Sequence, residues 1–285
     1  MHQRASAPDI VSPPTSYVGV FDSGVGGLTV LSALRRRLPH TRLLYAADSA
    51  YAPYGERDAS YVIERSKHLA QFLLSQGVQA IVVACNTATA LAIAELRRQW
   101  PLIPFIGIEP AIKPALAAST DKPVGVLATP ATLSSAKFQA LVQSLNPPGN
   151  LLLQPCPGLA EAIETLGPDA PETRGLIARF CTPLREAGCS TIVLGCTHYP
   201  LVAEAVREAL GAAGTGACLL DPADAVAAQT GRIVASLQPL TARHDTKQAP
   251  ELTAWTNGQP ALLQRVAAAC GLDSMPVRTL PAMLE

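Results

Sequence analysis

The stretch AIVVACNTATA at residues 80–90 carries three branched apolar residues, Ile81, Val82 and Val83, into Ala84 and Cys85. It continues into Asn86, Thr87 and an alanine-rich helical pattern. A short apolar run followed by cap-type residues is a strand handing over to a helix. Cys85 therefore falls at the carboxyl end of a strand, where open α/β sheets gather their ligands. Free cysteine is also among the most often buried residue types, so by itself Cys85 reads equally well as core. A second stretch bears on the choice. TIVLGCTHYPL at 191–201 repeats the Ile-Val pair, the small residue, the cysteine and the following Asn/Thr position in one constant register. Such a repeat predicts two α/β halves of similar build, each presenting one cysteine, Cys85 or Cys196, at a strand end.

The rest of the chain supports that reading. From Tyr17 onward, apolar runs alternate with Ala/Leu/Arg-rich helical patterns: YVGVFDS, RLLYAADS, AIVVACN, FIGIEP, VGVLATP, NLLLQPC, TIVLGCT and ACLLDPA are the expected strands. The predicted class is α/β, two similar α/β domains with mostly parallel sheets. Residues 1–16, rich in Pro, Ser and Ala, read as a disordered extension. The first domain is placed at 17–108, the second at 109–220, and the chain at 221–285 returns as helices to the first. The link IEPAIKPAL, with Pro110 and Pro114, reads as a hinge.

Composition excludes several classes of function. The 22 basic and 22 acidic residues give zero formal net charge, and only 5% of residues are aromatic. Neither an electrostatic field nor stacking platforms for nucleic acid are expected. Seven cysteines form an odd set without CxxC spacing or histidines at zinc-ligand intervals, so neither a disulfide framework nor a metal site is expected. No apolar leader opens the chain and no run approaches a membrane span, which predicts a cytoplasmic protein with reduced thiols.

Each cysteine precedes hydroxyl or amide residues at the start of a helical pattern, an environment expected to favour thiolate. Facing each other across a cleft, one thiolate and one thiol would flank a bound molecule on opposite sides. Two-base proton exchange at a stereocentre needs that arrangement: one group takes a proton from one face while the other returns one to the opposite face. Other segments are then expected to hold the substrate. GVFDSGVGGLTV at 19–30 runs a strand through Asp22 and Ser23 into a glycine-rich turn. Thr29 stands where a dinucleotide fingerprint would have its third glycine, so the turn reads as a binder of a small charged ligand through exposed N–H groups. Pro53, Tyr54 and Gly55 form a turn after the second expected strand, at the same mouth. Two other classes stay open on the residues alone, a thiol hydrolase or redox protein using Cys85 with His198, and a non-catalytic two-domain binding protein.

Together FDSGVGGL, PYG, ACNTATA and GCTHYPL resemble the motifs of the glutamate racemases, cofactor-independent members of the aspartate/glutamate racemase superfamily. The resemblance spans residues 17–223. It implies two α/β domains with the site between them, Cys85 and Cys196 as the acid/base pair, no cofactor and no metal, and D-glutamate made for peptidoglycan. By motif, the implied substrate contacts are Asp22, Ser23, Tyr54, Gly55, Asn86, Thr87, Thr197 and His198, with Thr132 in GVLATPATLSSAKF as an additional ligand. Thr129 in the same stretch reads as a helix cap. Asp22 is implied as the group assisting Cys85, His198 as the one assisting Cys196, and Glu164 in CPGLAEAIETLG as a third. Position 161 is Glu where the family pattern has Pro, so the register of Glu164 rests on the structure. The implied partner is the small-molecule substrate, glutamate; an aspartate racemase would keep both thiols and change only the pocket. A homodimer is left open, and neither nucleic acid nor membrane is implied.

Overall fold

Side chains along residues 17–22 alternate between two cores, with Val18 and Val20 on one side and Phe21 on the other. The same split runs through the neighbouring strands, where Leu43 and Tyr45 oppose Leu44 and Ala46, and Ala80 and Val82 oppose Ile81 and Val83. A sheet apolar on both faces must be covered on both, which explains why these segments read as continuous apolar runs. The computed structural model describes residues 17–119, 122–145, 150–211, 217–237 and 252–281. The stretch 1–16, expected as a disordered extension, lies outside them.

In chain order the elements are β1 (Tyr17–Asp22), α1 (Leu28–Arg37), β2 (Arg42–Ala47), α2 (Ala59–Ser75), β3 (Ala80–Val83), α3 (Asn86–Gln99) and β4 (Phe105–Gly107). Then come α4 (Ile112–Ala118), β5 (Val124–Ala128), α5 (Pro130–Ser134), α6 (Ala136–Leu145), β6 (Leu151–Pro155), α7 (Leu159–Thr165), α8 (Pro171–Glu186), β7 (Thr191–Gly195), α9 (Ala203–Leu210) and β8 (Cys218–Leu220). The last described are α10 (Ala223–Leu237), β9 (Leu252–Thr256), α11 (Pro260–Ala269) and β10 (Val277–Thr279).

Two parallel sheets result. One has the order β10-β9-β2-β1-β3-β4 and the other β6-β5-β7-β8. The series β2-β1-β3-β4 and β6-β5-β7-β8 are one topology used twice, so the repeat in the sequence is a repeat of architecture. In each sheet the strand order reverses beside the first strand, between β1 and β3 and again between β5 and β7. Ligand crevices of open α/β sheets form at such reversals, outside the carboxyl ends of the strands. Cys85 follows β3 and Cys196 follows β7, so each cysteine stands at the reversal of its own sheet.

All eight expected strands are present, and β9 and β10 are additional. The segment from 221 supplies α10, which packs Val226 and Val234 beside Leu31 and Leu34 of α1, but it also carries two strands rather than helices alone. β9 reads LTAWT, with Thr253 and Thr256 buried, so its polar letters hide its place between β2 and β10. The Pro-containing link is irregular through Pro110 and becomes helical from Ile112. α4 docks Ile112 and Ala115 on the second sheet, with Pro114 in its first turn, where a missing N–H costs nothing.

Trp255 on β9 is buried edge-on to Phe72 of α2, with ring centroids 5.5 Å apart. Replacing a core tryptophan by alanine costs about 3–5 kcal/mol. Trp255→Ala is therefore expected to lower the denaturant midpoint of the whole chain, measured by far-UV circular dichroism; an unchanged midpoint would show that the C-terminal strands do not stabilise the first sheet.

Candidate active site

β3 ends at Val83, and Cys85 caps α3, its sulfur accepting the N–H of Ala88 at 3.4 Å. The thiol in turn donates to Ser23 Oγ at 3.7 Å, and the Ser23 hydroxyl donates to Asp22 Oδ1 at 3.4 Å. Asp22, fully buried at the end of β1, also accepts the N–H of Gly27 at 2.6 Å. Burial raises the Asp22 carboxyl above the ordinary carboxylate value, against the lowering charge of His198 and the Gly27 hydrogen bond. Burial also pushes the Cys85 thiol far up, and the negative charge of Asp22 adds to it. The helix start does not win here: one N–H at 3.4 Å offsets less than desolvation and a neighbouring carboxylate impose. The expected thiolate-favouring setting is therefore corrected for Cys85, where burial beside Asp22 favours the thiol.

The surroundings of Cys196 differ. No α-helix follows it directly; a 3₁₀ turn, Tyr199–Val202, stands between it and α9, which corrects the expected helix start. Its sulfur lies 3.8 Å from His198 Nδ1, and His198 Nε2 lies 2.7 Å from Glu164 Oε2. Both partners are buried. Burial by itself would lower the imidazolium, but hydrogen bonds to Cys196 and Glu164, together with their charges, outweigh it and hold His198 well above its ordinary value. Glu164 projects from α7 toward this imidazole while Glu161 stays exposed, which settles the register.

Glu164 also reaches the other half, where the N–H of Val25 donates to Oε2 at 3.2 Å. The glycine-rich turn is thus occupied by the protein's own carboxylate rather than left open, a correction to its reading as an exposed ligand cradle. A Cβ on Gly24 would stand 2.0 Å from Glu164 Oε2, and one on Gly26 would stand 2.5 Å from His198 Nδ1. These glycines serve close approach of the two halves.

Other motif residues line the same junction. The Thr87 hydroxyl, on α3, lies 3.0 Å from that of Thr129 and 3.4 Å from that of Thr132, across the two halves. Thr129 caps α5, as expected, accepting the N–H of Thr132 at 3.2 Å. Gly55 faces Thr129, whose Cγ2 an added Cβ would meet at 2.8 Å. The Thr197 carbonyl accepts from Thr29 Oγ1 at 3.4 Å. Asn86 donates to the Ile108 carbonyl at 3.5 Å and, with Thr132 and Phe138, lines a small cavity of about 20 Å³. The Tyr54 ring packs in the same core cluster as Cys85, and its hydroxyl donates to Asp48 Oδ2 at 2.5 Å. Asp48, Arg65 and Asn257, which the sequence did not single out, surround that hydroxyl. Asp48 and Arg65 flank the PYG motif, so that motif offered a signal for them, whereas Asn257 stands in the unread C-terminal strand region.

Among the described residues no group of three or more His, Cys, Asp and Glu side chains is arranged to hold a metal ion. No described helix is long and apolar enough to cross a membrane.

The profile of the Asp/Glu/hydantoin racemases matches residues 29–230. The chain belongs to this family. A glutamate racemase from Pseudomonas aeruginosa is 46% identical over 252 residues, covering 88% of this chain and 92% of the relative. Among solved structures, a glutamate racemase isoform from Bacillus anthracis has a TM-score of 0.78 at 28% identity, covering 93% of this chain and 97% of that one. Escherichia coli glutamate racemase, in complex with L-glutamate and the activator UDP-MurNAc-ala, has the same TM-score and identity, covering 94% of this chain and 100% of that one. The racemase profile begins inside α1, so in this chain Asp22, Ser23 and the glycine turn stand outside the matched range while both cysteines, Glu164 and His198 stand within it.

A hydrogen-bonded carboxylate holds His198 protonated, so Glu164→Gln is expected to lower the His198 titration midpoint, read by NMR of the imidazole. A histidine whose folded value is raised adds stability that is complete below its unfolded value, about 6.5, and is lost as pH climbs through the folded value. The stability gap between wild type and Glu164→Gln is therefore expected to be largest near pH 6 and to shrink on alkalinisation. A gap that widens with pH would refute the charged pair.

Proposed function

We infer that this racemase acts on glutamate, interconverting the L and D enantiomers by two-base proton transfer without a cofactor and supplying D-glutamate for peptidoglycan. One observation carries the reading: the two halves repeat a single topology, and each sets one cysteine at its own strand-order reversal, in reach of an acidic or imidazole partner. The identity with the Pseudomonas aeruginosa enzyme supports glutamate as substrate. The seven free cysteines support a reducing, cytoplasmic setting. We take 17–108 with 221–285 as one domain and 109–220 as the other.

In this mechanism Cys196, beside the His198 imidazolium, acts as thiolate and removes the α-proton of L-glutamate. Cys85 donates its thiol proton to the opposite face of the resulting carbanion, leaving D-glutamate, a thiol at Cys196 and a thiolate at Cys85. The reverse reaction exchanges the roles. Asp22, through Ser23, assists on the Cys85 side; Glu164, through His198, assists on the Cys196 side. Ser23, Asn86, Thr87, Thr132 and Thr197 supply polar contacts to the carboxylates and ammonium, with the Tyr54–Gly55 backbone closing one end. Glu164 Oε1 is buried without a hydrogen-bond partner among the described residues. An unsatisfied buried acceptor costs about 1–3 kcal/mol, and a substrate ammonium carries the donors that would offset it.

Circular dichroism of L-glutamate with purified protein and no added cofactor is expected to decay to zero; a requirement for pyridoxal phosphate, or loss of activity to EDTA regained with zinc, would overturn the reading. Cys85→Ser and Cys196→Ser are each expected to reduce turnover by several orders of magnitude, and to differ in α-proton exchange from the two enantiomers. In D₂O, D-glutamate formed early from L-glutamate should carry deuterium at Cα while recovered substrate carries little, because the returning proton comes from a thiol equilibrated with solvent. Product retaining protium, seen by proton NMR, would reject the relay between Cys196 and Cys85.

A further inference from the structure

Asp48 lies at the end of β2, fully buried, and no step of the chemistry above uses it. Its carboxylate gathers donors from three directions. Arg65 of α2 binds it bidentately, Nε to Oδ2 at 2.9 Å and Nη2 to Oδ1 at 2.7 Å. The Tyr54 hydroxyl donates to Oδ2 at 2.5 Å, and Asn257 Nδ2 donates to Oδ1 at 2.7 Å. Asn257 follows β9, and its own Oδ1 accepts the N–H of Ala50 at 2.9 Å. A buried carboxylate needs such partners, and a fully satisfied network of this kind fixes the segments that contribute to it.

The segment it fixes is the 3₁₀ turn Tyr54–Glu56, and that turn bridges to the second half at two places. Gly55 is pressed against Thr129, the cap of α5. Glu56 Oε1 accepts the N–H of Gly158 at 2.7 Å, and Gly158 opens α7, the helix that carries Glu164. One anchored turn thus touches the threonine cluster on one side and the root of the Glu164 helix on the other. The anchor depends on β9, which lies beyond the stretch that matches the family profile.

We propose that Asp48 and Asn257 are positioning residues for substrate binding: through Tyr54 they hold the 54–56 turn against Thr129 and Gly158, and so set the width of the glutamate site without touching the reacting atoms. This rests on the glutamate reading above. The turn contributes none of the reacting atoms, so loosening it is expected to weaken ground state and transition state alike, which raises KM and leaves kcat.

The test compares wild type with Asn257→Ala, which removes one hydrogen bond to the hub, and with Asp48→Asn, which removes its charge. Racemisation kinetics in both directions are expected to show KM raised about fivefold or more in Asn257→Ala, with kcat within twofold. KM unchanged, with or without a fall in kcat that tracks folded protein, would overturn the proposal and leave the hub a structural element only. A second measurement does not depend on turnover, so it separates failure of this proposal from failure of the glutamate reading. Amide hydrogen exchange of the full chain by mass spectrometry is expected to quicken at residues 52–58 and 156–165 in both variants, with α8 unchanged. Equal exchange at both segments in wild type and variants would overturn the proposal even for a chain that racemises nothing.

Discussion

The Glu164 carboxylate is the point at which the two halves become one active site. Taking a carboxylate out of water is expensive unless donors meet it, and its donors come from both sides: the His198 imidazole from the second half and the Val25 N–H from the first. The junction must therefore be tight enough for the 3.2 Å hydrogen bond from Val25 to a carboxylate that His198 already holds from its own half. Side chains on the turn would hold the halves apart, which is why residues 24 and 26 lack a Cβ. The hydroxyl cluster of Thr87, Thr129 and Thr132 is a second tie of the same kind.

The two cysteines are equivalent by topology and unlike by chemistry. Cys85 begins a full helix but stands beside the Asp22 side, and burial keeps its proton on. Cys196 begins only a 3₁₀ turn, yet an imidazolium stands beside it. In the proposed relay the first sulfur gives the proton and the second takes one beside the imidazole. The architecture that repeats is the backbone, which brings each sulfur to a strand end. What differs is the residue two positions later, Thr87 in one copy and His198 in the other.

Strands buried on both faces were plain in the sequence, since runs such as AIVV and TIVLG carry their burial in their composition, whereas the edge strands β6 and β8 read alike and are only partly buried. The paired cysteines were legible for the same reason, because a motif repeated after a strand inherits the strand's position. β9 was not, since Thr253 and Thr256 give it polar letters although the fold buries both. The glycine turn misled because loop glycines that admit a neighbouring helix look like glycines that admit a ligand; only the approach of Glu164 separates the two. Asp48 and Arg65 stand on either side of the PYG motif, but Asn257 joins them across more than two hundred residues of chain, and nothing local to Asn257 announces the meeting.

A racemase built on this plan faces a constraint that its near-symmetry does not remove. The halves are related approximately by rotation, whereas the enantiomers are related by reflection, and no rotation of L-residues produces a mirror. The groups that flank Cα must therefore differ, as the neighbours of Cys85 and Cys196 do. Yet the enantiomers have equal free energy in water, so the equilibrium constant is one and kcat/KM must be equal in the two directions, in the wild type and in every variant. An asymmetric site can express its asymmetry only by dividing that common value differently between kcat and KM, and in the isotope effects of the two half-reactions. Removing the His198 imidazole is thus expected to lower kcat/KM equally from both sides while changing the deuterium effect on L-glutamate more than that on D-glutamate, since the imidazole neighbours the sulfur assigned to the L face. Competitive isotope effects with the two α-deuterated enantiomers would measure it, and equal changes in both would place His198 in substrate binding rather than beside the working thiolate.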